Sequence, residues 1–273
     1  MNTNNEDYYD LKQFNNCYTI ESSRIDEYIK AINDLNIRSV YICDLYYDLC
    51  NIAFLQECPN VEEININSKY IQDVKGLLKL KKLKTLIIQD IDCTIDLSLL
   101  PSIEDLSFTW NKNYANFTAL ENVRCLRIWN YNAKSKDLEE LMFAKKLEEL
   151  DIVRTTLITL NMIEELKELK SFGLSYASKL ESVEPLIHNN TLRKVYFDCC
   201  KSITDFEKLA NMKQLEKVSI CNCGEIESIK FIEELSNLKW FVCMKTNIID
   251  GDLTPSKYLE YSAFDNKKHY HRL

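Results

Sequence analysis

A short motif of three apolar residues recurs along this chain at a nearly constant interval. It reads apolar, two variable residues, apolar, one variable residue, apolar, and its copies follow one another every 20 to 24 residues. Alternation of apolar and variable positions is typical of a short strand that buries one face. Complete copies begin at Ile37, Val61, Leu83, Ile103, Val123, Leu147, Leu169, Leu192, Leu215 and Leu238, and a degenerate copy begins at Leu259. Such a period predicts a repeat protein.

The second half of each repeat has a different apolar spacing. Apolar residues there recur every three residues, as in Leu157, Leu160 and Ile163, which predicts a helical or 3₁₀ return after the strand. Neither half of such a unit can bury its apolar side by itself. Each unit must therefore pack on the next one, and the predicted architecture is a solenoid.

From Ile37 to about Lys267 the chain resembles the leucine-rich-repeat family, in particular the repeats of internalins and of phosphatase-regulating repeat proteins. The resemblance implies an α/β leucine-rich-repeat solenoid. This is a curved right-handed superhelix with a parallel β-sheet on its concave side and short helical or 3₁₀ returns on its convex side. It further implies that residues 37–273 form about eleven units, the last of which is a degenerate C-terminal cap.

The family also places Asn, Cys or Thr at the ninth position of each repeat, where the side chain turns inward and satisfies backbone groups. The residues that match this pattern are Asn111, Thr155, Cys200, Cys223 and Thr246. The residues that depart from it are Leu45, Lys69, Ile91, Tyr131 and Ala177. The departures imply irregular turns in the N-terminal half of the chain.

Residues 1–36 precede the first repeat and are expected to cap it, because the end of a solenoid exposes an apolar face. Ser22 or Ser23 is a suitable N-cap residue for a helix that follows. The apolar side of that helix would be formed by Ile25, Tyr28, Ile29, Ile32 and Leu35. This spacing predicts an N-terminal cap that contains an amphipathic helix.

The third, fifth and seventh positions of each strand motif point away from the core and need no apolar residue for folding. Several of them nevertheless hold aromatic residues or arginine, the residue types that most often anchor protein interfaces. With Trp110 and Arg154 at eighth positions, the predicted protein-binding residues are Tyr41, Asp105, Trp110, Arg127, Trp129, Glu149, Asp151, Arg154, Tyr196, Asp198, Trp240 and Tyr261. The alternative is that these aromatic rings only pack across neighbouring strands.

The charges on this predicted face suggest what kind of partner would bind it. Acidic residues exceed basic residues at these positions, and the polar face could simply be solvated. If the face binds a protein, a partner with a basic patch would associate faster. We therefore expect a protein partner with such a patch.

Composition argues against several other partners. The formal net charge of -8 disfavours nucleic acid, whose binding depends on clustered Lys and Arg. There is no long apolar stretch that would indicate a membrane protein, and the N-terminal sequence lacks the pattern of a secretory signal. Eleven irregularly spaced cysteines are best explained as reduced thiols. We expect a cytoplasmic protein.

A catalytic role is the alternative to a binding role, and it depends on a group of cysteines. Cys199, Cys200, Cys221 and Cys223 could suggest a metal-dependent or cysteine-dependent catalytic module. The repeat register directs these side chains to different faces, whereas zinc needs ligands that converge on one point. We therefore predict a non-catalytic, cofactor-free protein-binding scaffold, which could act as an inhibitor or antidote of its partner.

Overall fold

The computed structural model describes residues 11–14, 17–89, 91, 93–111 and 114–271. The chain divides into two compact units, unit 1 (Met1–Val123) and unit 2 (Arg124–Leu273). Both units repeat one pattern, in which a short strand is followed by a 3₁₀ turn. The predicted combination of strands with 3₁₀ returns is confirmed.

Unit 1 begins with an antiparallel pair of strands, β1 and β2, and β2 also pairs in parallel with the first repeat strand, β3. Strands β3, β4, β5 and β7 then continue a parallel sheet in that order, and β6 pairs with β8 in a separate parallel ladder. The strands are β1 (Gln13–Phe14), β2 (Cys17–Thr19), β3 (Ser39–Cys43), β4 (Glu63–Asn67), β5 (Thr85–Gln89), β6 (Ile95–Asp96), β7 (Asp105–Thr109) and β8 (Tyr114–Ala115). The helices are α1 (Ile25–Asp34) and 3₁₀ turns at Ser22–Arg24, Ala53–Glu57, Lys75–Lys79, Leu97–Leu99 and Phe117–Ala119.

Unit 2 has a parallel sheet in which β9, β10, β11, β12, β13, β15 and β17 are neighbours in that order. A separate ladder joins β14 and β16. The strands are β9 (Cys125–Tyr131), β10 (Glu149–Thr155), β11 (Ser171–Ala177), β12 (Lys194–Asp198), β13 (Lys217–Cys221), β14 (Glu225–Ile226), β15 (Trp240–Cys243), β16 (Asn247–Ile248) and β17 (Tyr261–Phe264). The 3₁₀ turns are Glu139–Leu141, Ile163–Glu165, Glu184–His188, Phe206–Asn211, Lys230–Glu234 and Thr254–Ser256.

The apolar positions of the motif form the core, as predicted. Leu86 and Val218 are fully buried and Leu150 is 1% exposed. Leu157 and Leu160, from the return after β10, are buried as well. The strand and its return therefore bury their apolar sides in a common core, which is the packing that the two apolar spacings require.

The inward ninth position supplies hydrogen bonds to the backbone, as the family resemblance implies. Thr155 Oγ1 donates to the Tyr131 carbonyl oxygen at 2.9 Å and accepts from the Leu157 amide at 3.2 Å. Thr246 Oγ1 donates to the Ile220 carbonyl oxygen at 3.1 Å and accepts from the Cys223 amide at 3.1 Å. These bonds satisfy buried backbone groups in the bends after β10 and β15.

The departures from the ninth-position pattern have two different outcomes. Leu45 is 80% exposed, and Lys69 is exposed beside the buried Ser68, so these turns in unit 1 are irregular, as expected. Ile91, Tyr131 and Ala177 are instead buried in the inward place. Asn130 and Tyr176, which precede Tyr131 and Ala177, have the left-handed φ of the other repeats, so the expectation of irregular turns is wrong at these two positions. At Ile91 it stays a prediction, because both neighbouring residues lie outside the described residues.

The expected helix of the N-terminal cap is α1, and it buries Tyr28 and Ile32. The prediction that Ser22 or Ser23 caps it is wrong, because both residues lie in the preceding 3₁₀ turn and Arg24 occupies the N-cap position without a side-chain cap. Ser22 Oγ donates instead to Asp48 Oδ1 at 2.5 Å. Asp26 and Glu27 in the first turn are placed favourably for the helix dipole.

The polar C-terminal segment packs back onto the last repeat. Tyr270 Oη donates to the Thr246 carbonyl oxygen at 3.1 Å and accepts from the Ile248 amide at 2.9 Å. Gly251 has a φ of 66°, and a Cβ at this position would lie 2.3 Å from the His269 carbonyl oxygen. Glycine is required here because the returning segment approaches the backbone too closely for a side chain.

Candidate protein-binding surface

The strands of unit 2 pair at equivalent repeat positions, so their outward side chains form three rows across the sheet. We call the surface made by these rows the open sheet face. The third-position row contains Cys125, Glu149, Ser171, Lys194, Lys217, Trp240 and Tyr261. The fifth-position row contains Arg127, Asp151, Gly173, Tyr196, Ser219, Val242 and Ala263. The seventh-position row contains Trp129, Val153, Ser175, Asp198 and Cys221.

An aromatic cluster occupies the end of this face that lies toward β17. The rings of Trp240 and Tyr261 stack with their centroids 5.8 Å apart and an interplanar angle of 12°. Tyr196 meets Trp240 edge-on at 6.3 Å. Ser219 is the fifth-position residue of β13, the strand between β12 and β15. Its small side chain leaves room for the rings. The rings do pack across neighbouring strands, yet Tyr261 remains 51% exposed.

An ion pair occupies the opposite end of the fifth-position row. The guanidinium of Arg127 donates to Asp151 Oδ2 from Nη2 at 2.7 Å and from Nε at 3.2 Å. Both side chains are substantially exposed, and ion pairs in such places contribute roughly 0 to 1 kcal/mol to folding. The pair therefore fixes the arrangement of charge on the face more than it stabilises the fold.

Trp129 and Trp240 lie at diagonally opposite places on the face. Trp129 is in the seventh-position row of β9, whereas Trp240 is in the third-position row of β15. The steps between these strands span roughly 24 Å, and four residues along a strand add roughly 13 Å in the other direction. Both rings are half-buried, so each keeps surface that a partner could contact.

The eighth position of each complete repeat in unit 2 adopts a left-handed backbone conformation. The φ angles are 57° at Asn130, 59° at Arg154, 56° at Tyr176, 55° at Cys199, 51° at Asn222 and 54° at Lys245. Asparagine tolerates this conformation well, but other residues with a Cβ are strained by roughly 1 to 2 kcal/mol. Residues other than asparagine at these places therefore carry a local cost, and such strain tends to accumulate at functional sites.

Tyr176 is a candidate binding residue that the strand pattern does not reveal. It is 50% exposed and follows the seventh-position row beside Arg154, which the sequence analysis does include. A hydrogen bond with Cys199 raises the pKa of the Tyr176 hydroxyl. The sequence signal that identifies Tyr176 is an aromatic residue at the eighth position, where the left-handed turn favours asparagine.

The predicted binding residues of unit 1 have other environments. Tyr41 on β3 and Asp105 on β7 are half-buried on the sheet of that unit. Trp110 stacks on Phe117 with a centroid distance of 5.5 Å and an interplanar angle of 13°, and it also contacts Phe108 at 6.1 Å. The indole of Trp110 thus has a packing role in unit 1.

Carboxylates create a negative environment in the middle of the open sheet face. Burial raises the pKa of Tyr196, and the charges of Glu149 and Asp151 raise it further. These carboxylates flank the tyrosine from strand β10, across the single strand β11. The central part of the face therefore favours positively charged groups.

The cysteines of the described chain are free thiols, and more than half of them are buried. Cys200 and Cys223 are buried, while Cys199 and Cys221 are half-buried, and all four are free thiols. A hydrogen bond with Cys200 and burial raise the pKa of Cys223, and burial raises the pKa of Cys243 to about 12. No group of three or more His, Cys, Asp or Glu side chains converges as metal ligands among the described residues.

None of the helices that the structure describes has the length and apolarity needed to cross a bilayer.

Comparison with known proteins gives structural neighbours but no sequence relatives. The chain matches no protein-family model and no curated protein sequence. A crystal structure of an internalin, InlF from Listeria monocytogenes, is similar with a TM-score of 0.55 and 26% identity, over 77% of this chain. The match spans 62% of that internalin, so this chain covers less than two thirds of its length.

Two further Listeria monocytogenes structures match less closely. A functional domain of InlJ, described as including a cysteine ladder, matches over 84% of this chain and 62% of its own, with 14% identity and a TM-score of 0.41. Internalin C2 matches over 81% of this chain and 79% of its own, with 16% identity and a TM-score of 0.30.

Proposed function

Because this chain has the leucine-rich-repeat fold, we propose that it is a non-catalytic protein-binding scaffold and that the open sheet face of unit 2 is its binding surface. The observation that carries the proposal is the set of aromatic and arginine side chains at positions that the core does not need. Trp129, Tyr196, Trp240 and Tyr261 all keep exposed area there. Such residues provide most of the binding energy in protein interfaces.

The dimensions of the face support a protein as the ligand. From β9 to β17 the rows extend for roughly 29 Å, and the third to eighth positions extend for roughly 17 Å along the strands. A specific protein interface buries roughly 800 Å² on each partner. These dimensions give a planar area of roughly 490 Å², more than half of such an interface, and the face is too wide and open for one small molecule, which would be enclosed in a cleft.

The distribution of charge supports a partner with a basic patch. Over the whole open sheet face the acidic residues Glu149, Asp151 and Asp198 are balanced by Arg127, Lys194 and Lys217. The central part, around Asp151 and Asp198, is the acidic part, and Arg127 is already paired with Asp151 there. The formal net charge of -8 adds a long-range attraction for basic proteins. A partner covered over such an area would lose access to its own surface, so we propose that binding inhibits or neutralises it.

Free thiols at all eleven cysteines favour a reducing compartment such as the cytoplasm.

The experiment that tests this proposal is capture of a partner from lysate of the source cells, followed by calorimetry on the purified pair. We expect Trp129→Ala and Trp240→Ala each to weaken binding by about 2 kcal/mol, or roughly 30-fold in Kd. The control is Tyr258→Ala, since Tyr258 lies outside the three rows and is 87% exposed. Trp110→Ala is unsuitable because its stacking on Phe117 would be lost.

Two results would contradict the proposal. If the double variant Trp129→Ala, Trp240→Ala keeps the affinity of the unaltered protein, the open sheet face is not the binding surface. If Tyr258→Ala weakens binding as much as either tryptophan substitution does, the surface near the C-terminal repeat is the better candidate.

A further inference from the structure

A depression with a volume of about 460 Å³ lies within the open sheet face, over strands β10 to β13. Gly173 lines it, together with the small side chains of Ser175 and Ser219. Asp151 and Tyr196 stand on either side of Gly173 in the fifth-position row. Asp198, which follows Tyr196 by two residues on β12, also lines it. The depression is therefore formed by rigid strands.

Gly173 has no conformational reason to be glycine. Its φ is not in the left-handed region, where Gly251 is found, and glycine weakens the interior of a strand. A Cβ at this position would lie 2.0 Å from Asp151 Oδ1. The absence of a side chain thus allows the Asp151 carboxylate to lie over the strand and opens the depression beside it. Glycine inside a strand often marks such a close approach.

Two carboxylate oxygens at the depression have unused acceptor capacity. Arg127 donates both of its hydrogen bonds to Asp151 Oδ2, and Asp151 Oδ1 accepts none from the residues that the structure describes. Asp198 Oδ1 accepts from Asn222 Nδ2 at 2.6 Å, and Asp198 Oδ2 likewise accepts none within the described chain. With one cation and two carboxylates among its lining residues, the depression carries a net charge of -1.

We propose that this depression receives an arginine side chain of the partner protein, an inference that rests on the proposed protein-binding function. A guanidinium is planar and has donors on several edges, so it can reach carboxylates on two sides at once. The strands of Asp151 and Tyr196 lie two steps apart, roughly 9.6 Å, which leaves room for this group between them. The ring of Tyr196 offers a surface on which a guanidinium stacks. A lysine ammonium is a point charge and would use this geometry less well.

The inference can be tested without the partner by titrating the ¹⁵N-labelled full chain with N-acetyl-arginine methylamide. The chain has only four glycines, so the amide signal of Gly173 can be assigned by its loss in Gly173→Ala. We expect this signal to shift and saturate with a Kd on the order of 1 mM. The corresponding citrulline compound has nearly the same shape without the charge, and we expect it to bind at least about tenfold more weakly. The lysine compound should lie between the two.

Substitutions identify the groups that hold the probe. Asp151→Asn and Asp198→Asn should each weaken binding several-fold, and Gly173→Ala, followed by the Ser175 amide, should weaken it because the new Cβ displaces the Asp151 carboxylate. Glu233→Gln is the matched control, since it removes the same charge from an exposed return outside the depression. Arg127→Gln should strengthen binding because it releases Asp151 Oδ2.

Three outcomes would overturn the inference: an unmoved Gly173 signal, equal binding of the citrulline compound, or unchanged binding in Asp151→Asn. If the probe fails while the tryptophan double variant loses its partner, the proposed function stands and this inference fails. If the probe binds while that double variant retains its partner, the depression is an arginine site but the proposed binding surface is wrong.

Discussion

Truncation of Leu150 provides a quantitative test of the packing in unit 2. Leu150 is 1% exposed and lies on β10, directly between Leu126 on β9 and Phe172 on β11. Leu150→Ala removes three carbons, whose transfer from water contributes about 2.4 kcal/mol at about 0.8 kcal/mol per carbon. Large neighbours held by strand pairing on both sides prevent the site from collapsing, so a residual cavity adds roughly 1.5 kcal/mol. We expect a loss of about 4 kcal/mol in the free energy of unfolding.

Urea unfolding followed by circular dichroism and tryptophan fluorescence measures this loss. The control is Val153→Ala on the same strand, because Val153 is half-buried on the open sheet face. Its truncation should cost less than about 1 kcal/mol, since little buried surface is lost. A Leu150→Ala variant that loses no more than the Val153→Ala variant would refute the assignment of the motif's fourth position to a tightly packed core.

Two other predictions concern the backbone and the charges of unit 2. Lys245 has a φ of 54°, so Lys245→Asn should raise the free energy of unfolding by roughly 0.5 kcal/mol through relief of left-handed strain. The control is Lys239→Asn, at an exposed position without such strain, which should give no gain in the same urea titration. Hydrogen bonds from Lys170 and Arg124 lower the pKa of Glu148, so its contribution to stability is present above the unfolded value of about 4.5 and is lost as the pH falls through the lowered pKa. Glu148→Gln should therefore make the free energy of unfolding less dependent on pH below 4.5, and an unchanged profile between pH 2 and 5 would contradict this.

The repeat fold could be predicted because its signal is a period of apolar residues, which sequence reports directly. Leu86, Leu150 and Val218 are buried for the reason that the motif gives, namely alternation along a strand. Ser22 shows where such reasoning stops. Its hydroxyl is suited to an N-cap, but Ser22 belongs to a 3₁₀ turn that precedes the helix. The hydroxyl donates instead to Asp48, which is far away in the sequence. The burial of Tyr131 and Ala177 at the inward ninth position was also unpredictable, because it depends on how much space the neighbouring side chains leave there.

The candidate site was predictable only in part. Repeat position alone identifies the outward places of Trp129, Tyr196 and Trp240, since the strands pair in register. The depression at Gly173 could not be foreseen, because it depends on the rotamer of Asp151 on the neighbouring strand. The strain at Tyr176 likewise follows from a backbone angle that the apolar pattern does not encode.

The in-register rows have a consequence for how this surface can change over evolution. Each repeat from β9 to β13 contributes one side chain to each row, while its apolar positions remain on the other side of the strand. A substitution at one outward position therefore alters a single place on the surface without disturbing the hydrophobic interior. Duplication of one repeat would lengthen every row by one step of roughly 4.8 Å. Partner choice can thus diversify through independent point changes, and the reach of the surface can be adjusted by gain or loss of whole units.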